Sequence, residues 1–172
     1  MIAKNTFGKD FHWGVSASAF QTEGRDHLDG KGDSIWDDFT AKEGNIKFNE
    51  NAKKATNFYH RYNQDLSFIE WMNCKNFRFS IAWSRILPEG IGKVNPIGID
   101  FYDRLIDSCL EHNIKPWVTL YHWDLPSALE NKGGWTNRDI LFWFEEYAQL
   151  CLEKYADRVS DWMVLNEPTA FT

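Results

Sequence analysis

The sequence lacks the features that mark membrane, nucleic-acid and metal proteins. No run in its 172 residues approaches the apolar length needed to cross a bilayer. The opening Met1-Ile2-Ala3-Lys4-Asn5-Thr6 lacks the apolar core of an export signal, so no membrane partner is expected and the cytoplasm is the expected compartment. Basic side chains are outnumbered, 19 Lys and Arg against 25 Asp and Glu for a net charge of −6. They form no stripe on which phosphates could bind, and no nucleic-acid partner is expected. The histidines, His12, His27, His60, His112 and His122, complete no His-Glu-x-x-His pattern and join no Cys-x-x-Cys, so neither a metal nor a cofactor is expected. Cys74, Cys109 and Cys151 are odd in number, widely spaced and set in apolar surroundings, the pattern of free thiols in a reducing compartment. Gly90-Ile91-Gly92-Lys93 and Asp29-Gly30-Lys31-Gly32 complete no phosphate-binding pattern and read as plain turns. No linker or low-complexity run divides the chain, which is read as one domain over residues 1–172.

Aromatic residues are abundant. Nine Trp within an aromatic share of 16% exceed ordinary usage. An indole stacks well on the apolar C–H face of a pyranose, but core packing accounts for most such residues, and about two or three are expected near a ligand. Three stripes recur at steps of three and four: Ala55, Phe58, Tyr59, Tyr62, Leu66, Ile69 and Met72; Ile99, Tyr102, Leu105, Ile106 and Cys109; and Leu141, Phe144, Tyr147, Ala148, Cys151 and Leu152. Each predicts a helix facing a sheet. Strand-like runs alternate with them, around residues 11–15, over 77–83 and 116–121, and over 162–165. This βα alternation predicts an α/β chain with a parallel sheet. The segments that leave strands, residues 16–51, 84–97 and 121–136, are the long ones and should gather at the C-terminal rim of the sheet, where barrel enzymes bind substrate.

The last strand, with Val164 and Leu165 expected to be buried, delivers Asn166-Glu167-Pro168 to that rim. Pro168 ends the ladder for want of an N–H and leaves Glu167 beside an amide. A carboxylate after a strand is more often a solvated turn residue, so the tripeptide alone is a weak pointer to catalysis.

Longer motifs carry more weight. Phe11-His12-Trp13-Gly14-Val15-Ser16-Ala17-Ser18-Ala19-Phe20-Gln21-Thr22-Glu23-Gly24, Arg78-Phe79-Ser80-Ile81-Ala82-Trp83-Ser84-Arg85-Ile86, Thr119-Leu120-Tyr121-His122-Trp123-Asp124-Leu125-Pro126, Gly133-Gly134-Trp135 and Asn166-Glu167-Pro168 resemble, in order and spacing, the family 1 glycoside hydrolases. The resemblance implies a TIM (β/α)8 barrel of which this chain holds the first four βα units. It also implies a retaining β-glycosidase without a cofactor. Glu167 matches the general acid/base, Asn166 the amide that holds the sugar 2-hydroxyl, and Arg78 the arginine that reaches the nucleophile. Gln21 and His122 match the pair that binds outer hydroxyls of the glycone, the sugar unit that is released, and Trp123 matches a rim aromatic beside them. Glu23 and Asp124 match residues that support the site structurally. Standing apart from the family, Gln21, His122 and Asn166 would read as side chains satisfying local backbone or capping a turn.

A retaining mechanism needs a second carboxylate about 5–5.5 Å from the first. The family carries it on a Thr-Glu-Asn-Gly segment after the seventh strand, and this sequence has no such segment; Glu50, in Asn49-Glu50-Asn51, is a polar-loop echo of it. These residues by themselves are therefore expected to be inactive. The implied substrates of the complete enzyme are unphosphorylated β-glucosides or cello-oligosaccharides. The implied protein partner is the C-terminal half of the barrel or a second copy. A rival reading from another class is a non-catalytic half-barrel that binds sugar or serves assembly. A metal-dependent barrel hydrolase would need ligands at the strand ends, and none is present.

Overall fold

The computed structural model describes residues 4–25 and 29–170; His27 lies outside them. Four strands, β1 (Gly14–Ser16), β2 (Asn76–Ser80), β3 (Lys115–Tyr121) and β4 (Asp161–Leu165), form one parallel sheet in the order β1-β2-β3-β4. The helices in chain order are α1 (Ala19–Thr22), α2 (Ile35–Ala41), α3 (Phe58–Trp71), α4 (Trp83–Ile86), α5 (Pro96–Glu111), α6 (Ser127–Glu130) and α7 (Ile140–Tyr155). The long ones, α3, α5 and α7, follow β1, β2 and β3 and pack side by side against the sheet. This is the arc of a barrel whose strands continue only in one direction.

Local chemistry sets the ends of these elements. Pro96 starts α5, where its missing N–H costs nothing, and the Asn95 side chain accepts from the Ile97 N–H at 3.2 Å. Ser34 caps α2 in a reciprocal box: its Oγ accepts from the Asp37 N–H at 3.3 Å while the Asp37 carboxylate accepts from the Ser34 N–H at 2.9 Å. Gly98 lies where a β-carbon would stand 2.1 Å from the Arg85 carbonyl, so α5 can lie on α4 only with glycine there.

Register decides which side chains see the helices. Arg78 pairs with Trp117 and Trp117 with Asp161, while Phe79 pairs with Val118 and Val118 with Trp162. Phe77, Phe79, Ile81, Val118 and Leu120 fall on the helix side, in one cluster with Leu66, Phe101, Leu105, Ile106 and Cys109. Phe79, Ile81, Val118 and Leu120 therefore do not face the open lumen. All four are at most 3% exposed, because the strand's two-residue period turns them to the helices and turns Arg78 and Thr119 to the lumen.

Other boundaries shift as well. The second strand stops at Ser80 rather than continuing through residue 83, because the backbone turns into α4 at Trp83. Trp83 is wholly buried and stacks on Tyr147 at 4.9 Å and 11°, so it belongs to the core. The first strand covers only Gly14–Ser16. Met72, Leu141 and Leu152, at the edges of their stripes, are exposed. Val164, expected to be buried, is 56% exposed: it lies on the helix side of β4, the last strand of the arc, where no described element covers it. The two suspect glycine segments are turns, with Gly30, Gly90 and Gly92 all at positive φ. The cysteines are free, Cys109 and Cys151 buried and Cys74 half-buried. Among the described residues no helix is long and apolar enough to cross a membrane.

Candidate active site

The sequence-predicted site residues lie at or just past the strand ends, with the exception of Arg78, which stands in the middle of β2. Arg78 reaches across the lumen side of the sheet. Its Nε donates to Thr119 Oγ1 at 3.0 Å and contacts Met163 Sδ at 3.0 Å, and its Nη2 donates to Asn166 Oδ1 at 2.6 Å. Three strands are thereby tied by one guanidinium. No carboxylate pairs with Arg78 among the described residues, so an amide, a hydroxyl and a thioether take the place of the acid expected beside it.

Asn166 is held from three sides. Its N–H donates to the Tyr121 carbonyl at 2.9 Å, extending the β3–β4 ladder past Leu165, and its carbonyl accepts from Trp123 Nε1 at 2.9 Å. With Oδ1 engaged by Arg78, the amide orientation is fixed and Nδ2 is left as a donor. Glu167 follows at φ 44, and its carbonyl accepts from the Ala170 N–H at 2.9 Å, closing the single turn Pro168–Ala170. Trp123 has φ 72. Both are bulky L-residues in the left-handed region, each costing about 1–3 kcal/mol, and such strain collects where side chains are aimed for function.

Gln21, His122 and Trp123 come together in a cavity of about 250 Å³ whose other walls are Ser18, Phe20 and Trp36. Gln21 is oriented by Ser18, whose hydroxyl donates to Oε1 at 2.7 Å. His122 Nδ1 is buried without a hydrogen-bond partner. Burial, joined by the charge of Arg78, pushes the His122 pKa below its ordinary value against the upward pull of Glu167, so the imidazole is neutral at pH 7. That electrostatic coupling is the link between Glu167 and the cavity; the Glu167 side chain is exposed and does not line it. Arg78 lines a separate hollow of about 270 Å³ on the lumen side with Val15, Ser16 and Trp117. Larger hollows of about 520 and 530 Å³, one among residues 25–53 and one lined by residues 9–13 and 73–76, contain no predicted site residue.

Trp36 and Phe20 carried no signal as site residues in the sequence. Their placement comes from a long-range clasp. Ser34 and Pro126 form an antiparallel bridge, the Ile35 N–H donates to the Leu125 carbonyl at 2.9 Å, and the Ser127 N–H donates to the Asp33 carbonyl at 2.9 Å. The loop after β1 is thus pinned onto the loop after β3, which sets α2 against His122 and Trp123.

The loop after β1 also enters a buried charged network. Arg85, wholly buried, donates from Nε to Glu23 at 2.9 Å and from Nη2 to the Gly24 carbonyl at 3.2 Å, and pairs with Asp29. Tyr102 donates to the other Glu23 oxygen at 2.6 Å, and Arg85 lies over the Tyr59 ring at 4.3 Å. Each charged group is paired and hydrogen-bonded, one guanidinium serving two carboxylates. Glu23 is two residues from Gln21, so the network anchors the turn that carries it. Asp124 is 2% exposed, with Oδ1 unpartnered. Burial pushes its pKa up to about 7 against the pull of Lys31, with Glu23 and Asp37 adding to the rise.

Residues 3–172 match the description of glycosyl hydrolase family 1. The chain belongs to that family. It is 50% identical over 162 residues to the 1,4-beta-D-glucan glucohydrolase of Thermotoga neapolitana, covering 94% of this chain and 38% of that protein. It is 49% identical to beta-glucosidase A of Thermotoga maritima, covering 94% of this chain and 36% of that protein. A solved structure of the Thermotoga maritima beta-glucosidase in complex with castanospermine superimposes with a TM-score of 0.92 at 49% identity, over 94% of this chain and 37% of the other. The fold is therefore that of a TIM-barrel family, present here as a partial barrel, and the chain spans little more than a third of the relatives it matches.

Proposed function

We propose that residues 1–172 form the N-terminal half of a single (β/α)8 domain and supply the acid/base and part of the glycone site of a retaining β-glycosidase. The observation that carries this reading is the rim of β4, where Asn166 is locked by Arg78 and Trp123 and Glu167 is turned out at positive φ. A glycosidic oxygen leaves badly as an alkoxide, so Glu167 protonates it as the C–O bond stretches. The same carboxylate then takes the proton from the water that releases the sugar. Asn166 Nδ2 donates to the 2-hydroxyl, a contact that tightens as the ring flattens in the transition state. Gln21 and neutral His122, which line the cavity, hold outer hydroxyls, and Trp123 packs beside them. The second carboxylate comes from the remainder of the barrel, at the position to which Arg78 extends.

Unphosphorylated β-glucosides are the proposed substrates. Asn166-Glu167-Pro168 and Tyr121-His122-Trp123-Asp124 resemble the plain β-glucosidases of the family more than its 6-phospho-specific members. The relatives named as beta-glucosidases and the castanospermine complex support a small sugar ligand. The remaining half of the barrel is the proposed protein partner, with a second copy of this chain as its stand-in when that half is missing.

The test uses the barrel completed with the C-terminal portion of the Thermotoga maritima relative. Glu167→Ala is expected to slow alkyl β-glucosides far more than aryl ones with acidic leaving groups, and azide is expected to restore turnover by forming a β-glycosyl azide. Uniform loss across leaving groups, or an α-configured azide product, removes Glu167 from the role.

A further inference from the structure

Trp36 faces the same cavity as Gln21 and His122 but has been given no part in binding. It is half-buried, packed edge-on against Phe39 at 5.6 Å and tilted on Phe20 at 6.0 Å, and it forms one wall of the 250 Å³ cavity. Its indole nitrogen, like those of Trp71 and Trp143, is not engaged by a described residue, in contrast to five other tryptophans. Trp83, Trp117, Trp123, Trp135 and Trp162 each donate Nε1 to a protein acceptor between 2.8 and 3.1 Å. No described residue accepts from Trp36 Nε1. The cavity thus has an aromatic wall whose indole N–H has no acceptor among the described residues, beside the side chains of Gln21 and His122, and a hydroxylated ligand would supply that acceptor.

The helix that carries the ring is also anchored at its start. The capping box of Ser34 and Asp37 fixes the start of α2, and Lys31 reaches Asp37 at 3.4 Å. The bridge of Ser34 to Pro126 then holds α2 to the turn that carries His122 and Trp123. A side chain presented from an anchored backbone costs less to order when a ligand arrives, which suits a discriminating contact.

We propose that Trp36 is a further sugar-contacting, specificity-determining residue: its ring packs on an apolar edge of the glycone, and its Nε1–H donates to one peripheral hydroxyl of the sugar held by Gln21 and His122. The proposal rests on the glycosidase reading. It accounts for the placement of α2 by the long clasp, which sets an indole with an unengaged N–H into a largely aromatic cavity beside Gln21 and His122.

The experiment measures kcat and KM of the completed barrel on 4-nitrophenyl β-glucoside and on its 3-, 4- and 6-deoxy analogues, for the parent and for Trp36→Phe and Trp36→Leu. Trp36→Phe keeps the apolar wall and removes the N–H. It is expected to raise KM for the glucoside roughly 10-fold, to leave KM unchanged for the one analogue that lacks the recognised hydroxyl, and to leave the pH profile of kcat in place. Trp36→Leu, losing the wall too, is expected to weaken all four substrates. Equal losses on all four substrates with Trp36→Phe, or none, would assign Trp36 to packing and overturn the inference. Absence of turnover by the parent barrel would instead remove the glycosidase reading, and this contact with it.

Discussion

Replacing Arg78 by Lys separates two jobs assigned to one side chain. The guanidinium makes a fork: Nη2 to Asn166 Oδ1 at 2.6 Å and Nε to Thr119 Oγ1 at 3.0 Å. A lysine ammonium keeps the charge but cannot span both acceptors, so Asn166 loses the bond that holds its amide toward a 2-hydroxyl. A hydrogen bond involving a charged group contributes about 1.5–3 kcal/mol. At about 1.4 kcal/mol per tenfold, that corresponds to a loss of roughly 10- to 150-fold in kcat/KM. Loss of support to the second carboxylate adds to the damage, but that part strikes every substrate alike. The share that passes through Asn166 is isolated by a 2-deoxy-glucoside, which has no hydroxyl for the amide to hold. In the completed barrel, the preference for glucoside over 2-deoxy-glucoside is expected to fall at least tenfold with Arg78→Lys, and to fall likewise with Asn166→Ala. An unchanged preference in Arg78→Lys, with activity lost equally on both sugars, would refute the argument that Arg78 orients Asn166.

Three further outcomes follow from the same geometry. Asp124 has its folded pKa raised from the ordinary 3.8 to about 7, so its contribution to stability is full below pH 4 and is lost as pH rises through 7. Asp124→Asn in the completed barrel is expected to raise the urea midpoint at pH 8 relative to pH 5 when compared with the parent, and an identical pH dependence in both proteins would contradict the raised value. His122→Ala and Gln21→Ala are each expected to raise KM for glucoside with little change in the pH profile, and a shifted acidic limb in either would point to a proton-transfer role instead. The 172-residue chain alone presents unpaired edges on β1 and β4, together with exposed Phe68 and Trp71 on α3 and Leu141 and Phe142 on α7, the outermost long helices of the arc; sedimentation is expected to find it associated, and a dilute monomer with one sharp thermal transition would show that the arc is self-sufficient.

The parts of the fold legible in the sequence were those with a strong period. The stripes of α5 and α7, and the run of β3, lie within a few residues of where the pattern puts them, because each buries one consistent face. The pattern misleads where position in the arc overrides it. Val164 looks buried to any reading of hydrophobicity, yet it faces the helix side of the last strand, where no described element covers it. Register, not hydrophobicity, separates the two faces of the sheet, placing Arg78 and Thr119 toward the lumen and Phe79 and Val118 toward the helices. The polar site residues were found through resemblance to a family, since a lone His or Asn beside a strand has a structural use as plausible as a functional one. Trp36 escaped notice because its place depends on the Ser34–Pro126 bridge, which joins segments 92 residues apart in number and leaves no periodic trace.

The central claim is that these residues supply the proton donor and glycone contacts while an essential second carboxylate comes from the rest of the barrel. It is tested most directly by steady-state release of 4-nitrophenol from its β-glucoside by the 172-residue chain alone, by the completed barrel, and by the completed barrel with Glu167→Gln. Turnover is expected from the completed barrel, with none from the chain alone and a severe loss in the variant. Sustained turnover by the chain alone, abolished by Glu167→Gln within that chain, would contradict the claim by showing that 172 residues hold every group the reaction needs.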